Sequence, residues 1–250
     1  MPGRKICGGS VRMATGPRYR VAFRRRREGK TNYRRRRALV LSGSPRFVVR
    51  CSLRHVSTQM VKAEIAGDRV LVSANSSELA KRYGWLGNCS NLPAAYLTGL
   101  LCGFKALTSG LKEAVLDIGL QSPTEGSQVF ATLKGVLDAG VLVPHDESVL
   151  PSEERMQGRH IVAYAGLLAS DPEVYKTRFS EHLSKGLPPE QLTEHFLSVK
   201  EKIVSFFREG KMPEKKEAKV KPKVGRRKRA TRKAVVKSKS KRRVPKKKDG

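Results

Sequence analysis

Two runs of four arginines, Arg24–Arg27 and Arg34–Arg37, are the residues of this chain whose types and spacing most clearly indicate a chemistry. Neighbouring guanidinium groups repel one another and are costly to remove from water, so this segment cannot form a hydrophobic core. Guanidinium groups bind phosphate oxygens in a bidentate geometry, and Tyr19 and Tyr33 can stack on bases. The stretch from Arg18 to Arg37 is therefore predicted to lie on folded nucleic acid. The alternatives are a solvated charge run and a localisation signal.

The positive charge is concentrated at the two ends of the chain. The formal net charge is +30. Residues 1–37 contain 14 Lys and Arg residues and one acidic residue, and residues 211–250 contain 20 and three. Residues 38–210 contain 18 basic and 18 acidic residues and are therefore neutral. This division predicts a neutral globular body with two cationic segments, rather than a uniformly basic enzyme.

Composition along the chain predicts four segments. They are a basic, extended nucleic-acid-binding arm (1–37), an α/β core (38–150), a helical region (151–210) and a Lys/Arg-rich tail (211–250). The tail cannot bury enough apolar surface to offset its ordering entropy, so we expect it to be disordered.

The hydrophobic pattern predicts a mixed α/β fold, in which an antiparallel or mixed sheet is packed with helices. Alternation between Arg46 and Asn75 predicts three antiparallel strands. Apolar residues at helical spacing predict a long helix after Asn91 and a second helix between Ser127 and Gly140. Short apolar strands on both sides of the second helix complete a β-α-β unit.

Further elements are expected around this core. Strands of the β-α-β unit are placed at residues 114–118 and 141–143. Helices are expected at 38–41, from Ser76 or Ser77 to Tyr83, at 152–168 and at 189–208, with Ser76 or Ser77 as the N-cap of its helix.

No arrangement of residues indicates catalysis. The five histidines form no H-E-x-x-H pattern, and no G-x-S-x-G motif occurs. Asp117, at the end of a predicted strand, could serve a metal or acid–base site, but no second acidic residue ends a matching strand, so a hydrogen-bonded structural carboxylate is favoured. We predict a protein that is not an enzyme and has no catalytic residue, metal ligand, cofactor or small-molecule substrate.

The cysteines and the apolar segments indicate a reducing, cytoplasmic environment. The four cysteines form no C-x-x-C pair, and no secretory signal core is present, so reduced structural thiols are expected. The most apolar run, residues 92–107, is too short and too interrupted to span a bilayer. No membrane partner is therefore predicted.

Three further features have two interpretations each. The loop from Ser122 to Ser127 joins a strand to a helix and is expected to cap that helix rather than to hold an anion. Trp85 is expected to pack in the core rather than to stack on a base. His55 follows Arg50 and Arg54 and is the histidine predicted to contact a polyanion, with a plain surface histidine as the alternative.

The sequence resembles a known family, namely large-subunit ribosomal protein eighteen, which comprises the bacterial L-eighteen and eukaryotic L-five proteins. The archaeal form is the nearer match. The matching stretches are MATGPRYRVAFRRRREGKTNY (13–33), SGSPRFVVRCSLRHVSTQMV (42–61), SANSSELAKRYGW (73–85), NLPAAYLTGLLCGFKA (91–106), EAVLDIGLQSPTEGSQVFATLKGVLDAG (113–140) and VPHDESVLP (143–151).

The resemblance implies a structural, RNA-binding constituent of the large subunit. Its implied partners are 5S ribosomal RNA, the large ribosomal RNA and neighbouring proteins of the central protuberance. The implied RNA-contacting residues are Arg18, Tyr19, Arg20, Arg24, Arg25, Arg26, Arg27, Lys30, Tyr33, Arg34, Arg35, Arg36, Arg37, Arg50, Arg54 and His55. Residues 1–12 precede the family's start, and the tail is longer and more basic than in an archaeal member, so no role is carried over to either.

Two other functions are weighed against this one. A nonspecific chromatin-type or RNA-chaperone protein would act through the basic tail, and its affinity for a folded RNA and for a scrambled RNA would be equal. An RNA-modifying enzyme is disfavoured because no catalytic constellation is present.

Overall fold

A four-stranded mixed sheet forms the centre of the protein, and it confirms the predicted α/β class. The structure is a computed structural model and describes residues 16–17 and 19–209. Its strands are β1 (Arg46–Cys51), β2 (Val56–Glu64), β3 (Gly67–Asn75) and β4 (Val115–Asp117). The strand order is β3-β2-β1-β4, with β4 parallel to β1 and the other pairs antiparallel.

Ten α-helices accompany this sheet in the described part of the chain. The helices α1 to α10 are Arg24–Arg27, Tyr33–Leu41, Ser76–Arg82, Leu92–Thr108, Gln128–Ala139, Glu153–Gln157, Arg159–Leu168, Pro172–Arg178, Ser180–Ser184 and Leu192–Arg208. The expected disorder of residues 211–250 lies outside the described residues, and the domain boundary expected at residue 150 stays a prediction.

The two faces of the sheet differ because side chains alternate along each strand. Phe47, Val49 and Met60 are fully buried in the core that the sheet forms with α4 and α5. The opposite face carries Arg46 and Arg50 of β1, which flank the half-buried Val48. One face of the sheet therefore forms the hydrophobic core, and the other carries arginine side chains.

Helices α4 and α5 pack against each other through glycines. A Cβ atom at Gly99 would collide with the backbone carbonyl of Thr132 on α5. In the same way, a Cβ atom at Gly135 would collide with the carbonyl oxygen of Tyr96 on α4. The two helix backbones therefore meet at a distance that only glycine allows, and this contact makes the body a rigid support.

The C-terminal helices complete the core, and they confirm the packing interpretation of Trp85. Its side chain is 2% exposed and stacks on His195 of α10, with ring centroids 5.2 Å apart. The indole N–H donates to the carbonyl oxygen of Asn88 at 3.1 Å. Trp85 thus joins α10 to the segment that follows α3.

Several local predictions need correction. Asn75, rather than Ser76 or Ser77, caps α3, because its side chain accepts from the Ser77 N–H at 2.9 Å. Ser127 occupies the N-cap position of α5 as expected, but its side chain makes no capping hydrogen bond. The helix expected at 152–168 is interrupted at Gly158, which has a left-handed φ of +86° and ends α6.

The last strand of the predicted β-α-β unit is reduced to a single pairing. Glu113 and Leu142 form one isolated parallel bridge, in which the Ala114 N–H donates to the Leu142 carbonyl at 3.0 Å. Residues 141–143 therefore lie beside the sheet in the expected parallel direction without forming a full strand.

Stability is expected to fall in mild acid through His195. The pKa of His195 is lowered, first by burial and then by the nearby Lys202, and its Nε2 accepts from the Leu86 N–H at 3.1 Å. Because the unfolded chain binds this proton more readily, the contribution is fully present above about pH 6.5 and is lost as the pH falls below that value. Urea unfolding at pH 7.5 and 5.0 should show a smaller pH dependence in His195→Gln than in the parent protein. An equal dependence in both would contradict this assignment.

Candidate nucleic-acid interface

The arginine arm contains a short helical hairpin. Helix α1 is followed by a turn at Gly29, whose φ is +64°, and the chain returns as α2. The Asn32 side chain accepts from two backbone N–H groups and caps α2, so the helix expected at 38–41 begins at Tyr33 instead. The second arginine cluster therefore lies on a helix, and the cap explains the difference from the prediction.

Contacts within the hairpin hold its two helices together. The rings of Phe23 and Tyr33 lie 5.2 Å apart, and the Arg25 Nε donates to the Thr31 hydroxyl at 2.8 Å. Glu28, the single acidic residue among residues 1–37, pairs with the Nε of Arg24 and with the Nζ of Lys30. One carboxylate therefore reduces the repulsion at the turn between the two clusters.

Ion pairs attach the hairpin to the open face of the sheet. Arg36 Nη2 lies 2.8 Å from Asp68 Oδ2, and Arg46 Nη2 lies 2.9 Å from the same oxygen. Arg46 Nη1 also lies 3.3 Å from Asp117 Oδ2. These three ion pairs therefore connect α2 to the start of β3, β3 to β1, and β1 to β4.

Asp117 is a structural carboxylate, which confirms the favoured interpretation. It pairs with Arg46 and, at 3.2 Å, with Arg50 Nη2. It also accepts from the Gly119 N–H at 2.9 Å, while Arg50 Nη1 donates to the Asp117 backbone carbonyl at 2.8 Å. Arg46 is only 4% exposed, and its guanidinium would be costly to bury alone. The carboxylates of Asp68 and Asp117 neutralise it.

The four arginines of the second cluster point in different directions. Arg36 is half-buried and bound to Asp68. Arg35 lines a groove between the hairpin and the sheet. Arg34 and Arg37 are exposed, and neither forms an ion pair with any residue of the described part of the chain. Arg34 and Arg37 are therefore available to a polyanion on the outer surface, and the exposed Arg35 is available to one that enters the groove.

The remaining predicted contacts of the arm have different surroundings. Arg26 and Arg27 are exposed, and within the described ranges neither forms an ion pair. Tyr19 and Arg20 are exposed too, whereas Arg18 lies outside the described residues. Tyr33 is half-buried against Phe23, so less of its ring remains for a base. The proposed RNA contacts of all these residues stay predictions.

The β1–β2 turn, residues 52–55, is a second exposed basic element. It presents Arg54 and His55, and between Ser52 and Arg54 it presents Leu53, whose side chain is 98% exposed. Sequence reasoning missed Leu53, although an apolar residue in a polar turn is a signal in itself.

Hydrogen bonds within the turn and from two other segments fix its position. The Ser52 N–H donates to the His55 carbonyl at 2.8 Å, and the Ser90 hydroxyl donates to the Ser52 carbonyl at 2.7 Å. Ser76 Oγ accepts from the Val56 N–H at 3.1 Å and lies 3.3 Å from His55 Nδ1. The turn is therefore held in place before any partner binds.

The described part of the chain was searched for metal sites, membrane-spanning helices and paired cysteines. Residues 16–17 and 19–209 contain no group of His, Cys, Asp and Glu that could hold a metal ion. Over the same residues, no helix is long and apolar enough to cross a membrane. The cysteines Cys51, Cys89 and Cys102 are free, and burial raises the pKa of each, to about 11 for Cys102. Cys7 lies outside the described residues.

Comparison with known proteins supports the resemblance found in the sequence. A family model described as ribosomal large subunit proteins 60S L5 and 50S L18 matches residues 17–113 and 108–146. The large ribosomal subunit protein uL18 of the archaeon Caldivirga maquilingensis is 53% identical over 196 residues, which cover 78% of this chain and 95% of that protein. The arginine hairpin and the sheet that supports it lie within the matched region. The chain therefore belongs to the family of large-subunit ribosomal proteins 60S L5 and 50S L18, and it is of the archaeal type.

Proposed function

We propose that this protein binds 5S ribosomal RNA and helps to attach it to the large ribosomal RNA in the central protuberance. Membership of the family makes it a component of the large ribosomal subunit. The proposal adds the RNA partner, the position and a purely structural role, in which no reaction is catalysed. Neighbouring ribosomal proteins of the central protuberance are the other partners that we propose.

The observation that supports this proposal is the attachment of the arginine hairpin to a neutral body. Phosphate contacts supply affinity, but they do not read the base sequence of the RNA. Here the Arg36–Asp68 pair and the braced turn at residues 52–55 fix cationic groups in set positions. A fixed set of cations can match the shape of one folded RNA better than that of another.

A comparison of binding to two RNAs tests the proposal. The full chain is titrated, over a range of salt concentrations, with 5S RNA and with a scrambled RNA of equal length. We expect a clear preference for 5S RNA that persists in a chain ending at residue 210. Equal affinity for both RNAs would contradict the proposal and would favour the nonspecific polycation, in which the tail dominates binding.

The outward and inward arginines of α2 should respond differently to salt. Arg34→Ala should lower the slope of log K against log salt by about 0.7–0.9 of a unit, because one phosphate contact is lost. Arg36→Ala should change the slope by less than half as much, since that guanidinium already pairs with Asp68. Filter binding to 5S RNA at four salt concentrations measures both slopes. An equal reduction of the slope in both variants would show that Asp68 does not hold Arg36 away from the RNA.

A further inference from the structure

A groove lies between helix α2 of the arm and the open face of the sheet. Its volume is about 600 Å³. The lining includes Val48, Val61 and Val70 from β1, β2 and β3, and Arg35 and Arg36 from α2. Cationic side chains therefore meet an apolar strip of the sheet in one concave space.

The charges that line this groove are unbalanced. Among the residues that the structure describes, six basic side chains line it, namely Arg25, Lys30, Arg35, Arg36, Arg46 and Arg50. Over the same residues, only two carboxylates line it, those of Asp68 and Asp117. Of the six cations, Lys30 also contacts Glu28, outside the lining. The remaining excess of positive charge attracts an anion.

Arg46 gives the most specific indication of a ligand. Its side chain is more than nine-tenths buried, and its Nε has no hydrogen-bond partner among the residues that the structure describes. Its Nη2 lies close to Asp68 Oδ2 but is not aligned for a hydrogen bond. Buried guanidinium donors are rarely left without acceptors, and Arg46 lines the groove, so it can donate to a ligand oxygen that enters this end of the groove.

We propose that this groove binds a single unstacked nucleotide of the RNA, with its phosphate on Arg35 and Arg46 and its base on the valine strip. A volume of about 600 Å³ lies within the range of small-ligand sites and is too small for a duplex. A phosphate alone would leave the valine strip uncovered, and a neutral base alone would leave the excess positive charge of the lining unbalanced. Bases that are splayed out of loops are the usual targets of specific RNA recognition. This inference rests on the proposed function, because the RNA supplies the nucleotide.

Mononucleotide binding tests the groove without the 5S RNA. The full chain, in about 150 mM salt, is titrated with uridine 5′-monophosphate, adenosine 5′-monophosphate, uridine and inorganic phosphate, and backbone amide shifts are followed by NMR. At least one monophosphate should bind at least about tenfold more tightly than inorganic phosphate or uridine, with shifts concentrated at Val48 and Val61. Binding of inorganic phosphate as tightly as both nucleotides would overturn the nucleotide assignment. The absence of shifts in β1 and β2 would overturn the site.

Substitution at Val70 tests whether the groove itself holds the nucleotide. Val70 is 49% exposed, so Val70→Phe should fill the groove while the sheet stays folded. It should weaken mononucleotide binding at least about tenfold, whereas the matched control Val174→Phe, on the exposed side of α8, should leave it unchanged. Arg35→Ala should also weaken binding, and Arg34→Ala should not. Unchanged binding in both Val70→Phe and Arg35→Ala would overturn the inference.

The failure of this inference can be distinguished from failure of the proposed function. A preference for 5S RNA over scrambled RNA that persists in Val70→Phe, together with no mononucleotide binding by the parent chain, would reject the groove alone. Loss of the preference in the parent chain would reject the proposed function itself.

Discussion

Replacing Asp117 with asparagine should lower the free energy of unfolding by about 3 kcal/mol. Removing one partner of a buried ion pair leaves an uncompensated charge and costs about 3–5 kcal/mol. We expect the lower end of this range because Arg46 retains Asp68, whose carboxylate lies 2.9 Å away. Arg50 is partly exposed and can turn to water, so it adds little.

Urea denaturation at neutral pH measures this loss, and an exposed ion pair provides the control. Glu154 pairs with Arg159 at 3.1 Å on the surface, so Glu154→Gln should cost less than about 1 kcal/mol. If Asp117→Asn costs no more than the control, the ion pairs beneath the hairpin do not stabilise the fold. The loss should also weaken RNA binding, because Asp117 orders the arginines that line the groove.

Replacing Gly99 with alanine should destabilise the body by about 3 kcal/mol or more. Overpacking in a core costs about 1–3 kcal/mol when side chains can adjust. At Gly99 the obstacle is the backbone of Thr132, with its carbonyl carbon 2.8 Å from the added Cβ, so helices α4 and α5 would have to separate. The sheet packs on both helices, and the cost therefore extends to the core beneath the interface.

Gly166 provides a matched control for this substitution. It lies in the exposed part of α7, and an added Cβ would meet no atom within 4 Å. Gly166→Ala should therefore raise stability by up to about 1 kcal/mol through helix propensity alone. Thermal unfolding of both variants gives the comparison. Similar, small changes at the two positions would show that α4 and α5 are not in close contact.

Much of the fold follows from local patterns. The alternation between Arg46 and Asn75 predicts β1, β2 and β3, and Asn91 marks the start of α4. What local patterns leave undecided is the choice between neighbouring caps and breaks. Asn75 and Ser76 are both good N-cap residues. In the structure the Ser76 hydroxyl instead accepts from the N–H of Val56, the first residue of β2. The pairing with Val56 depends on tertiary contacts that a local window does not contain.

Part of the candidate site can likewise be predicted from the sequence, and part depends on tertiary contacts. The arginines of the hairpin are evident from composition, and so is their affinity for phosphate. Their division into outward and inward groups is not evident, because it depends on Asp68, which lies 32 residues from Arg36 in the chain. Likewise Arg46 and Asp117 are 71 residues apart, and they meet only because β4 adds to β1 in parallel. The groove is a product of strand order rather than of any one motif.

Crosslinking to ribosomal RNA tests the central claim most directly. The purified full chain is irradiated with total ribosomal RNA, and both the attached peptides and the attached nucleotides are mapped. We expect 5S RNA to be attached to peptides from residues 24–37 and from the turn at residues 52–55, with further attachments to the large ribosomal RNA. Attachment of 5S RNA only through residues 211–250, or no enrichment of 5S RNA over the other RNAs, would contradict the account.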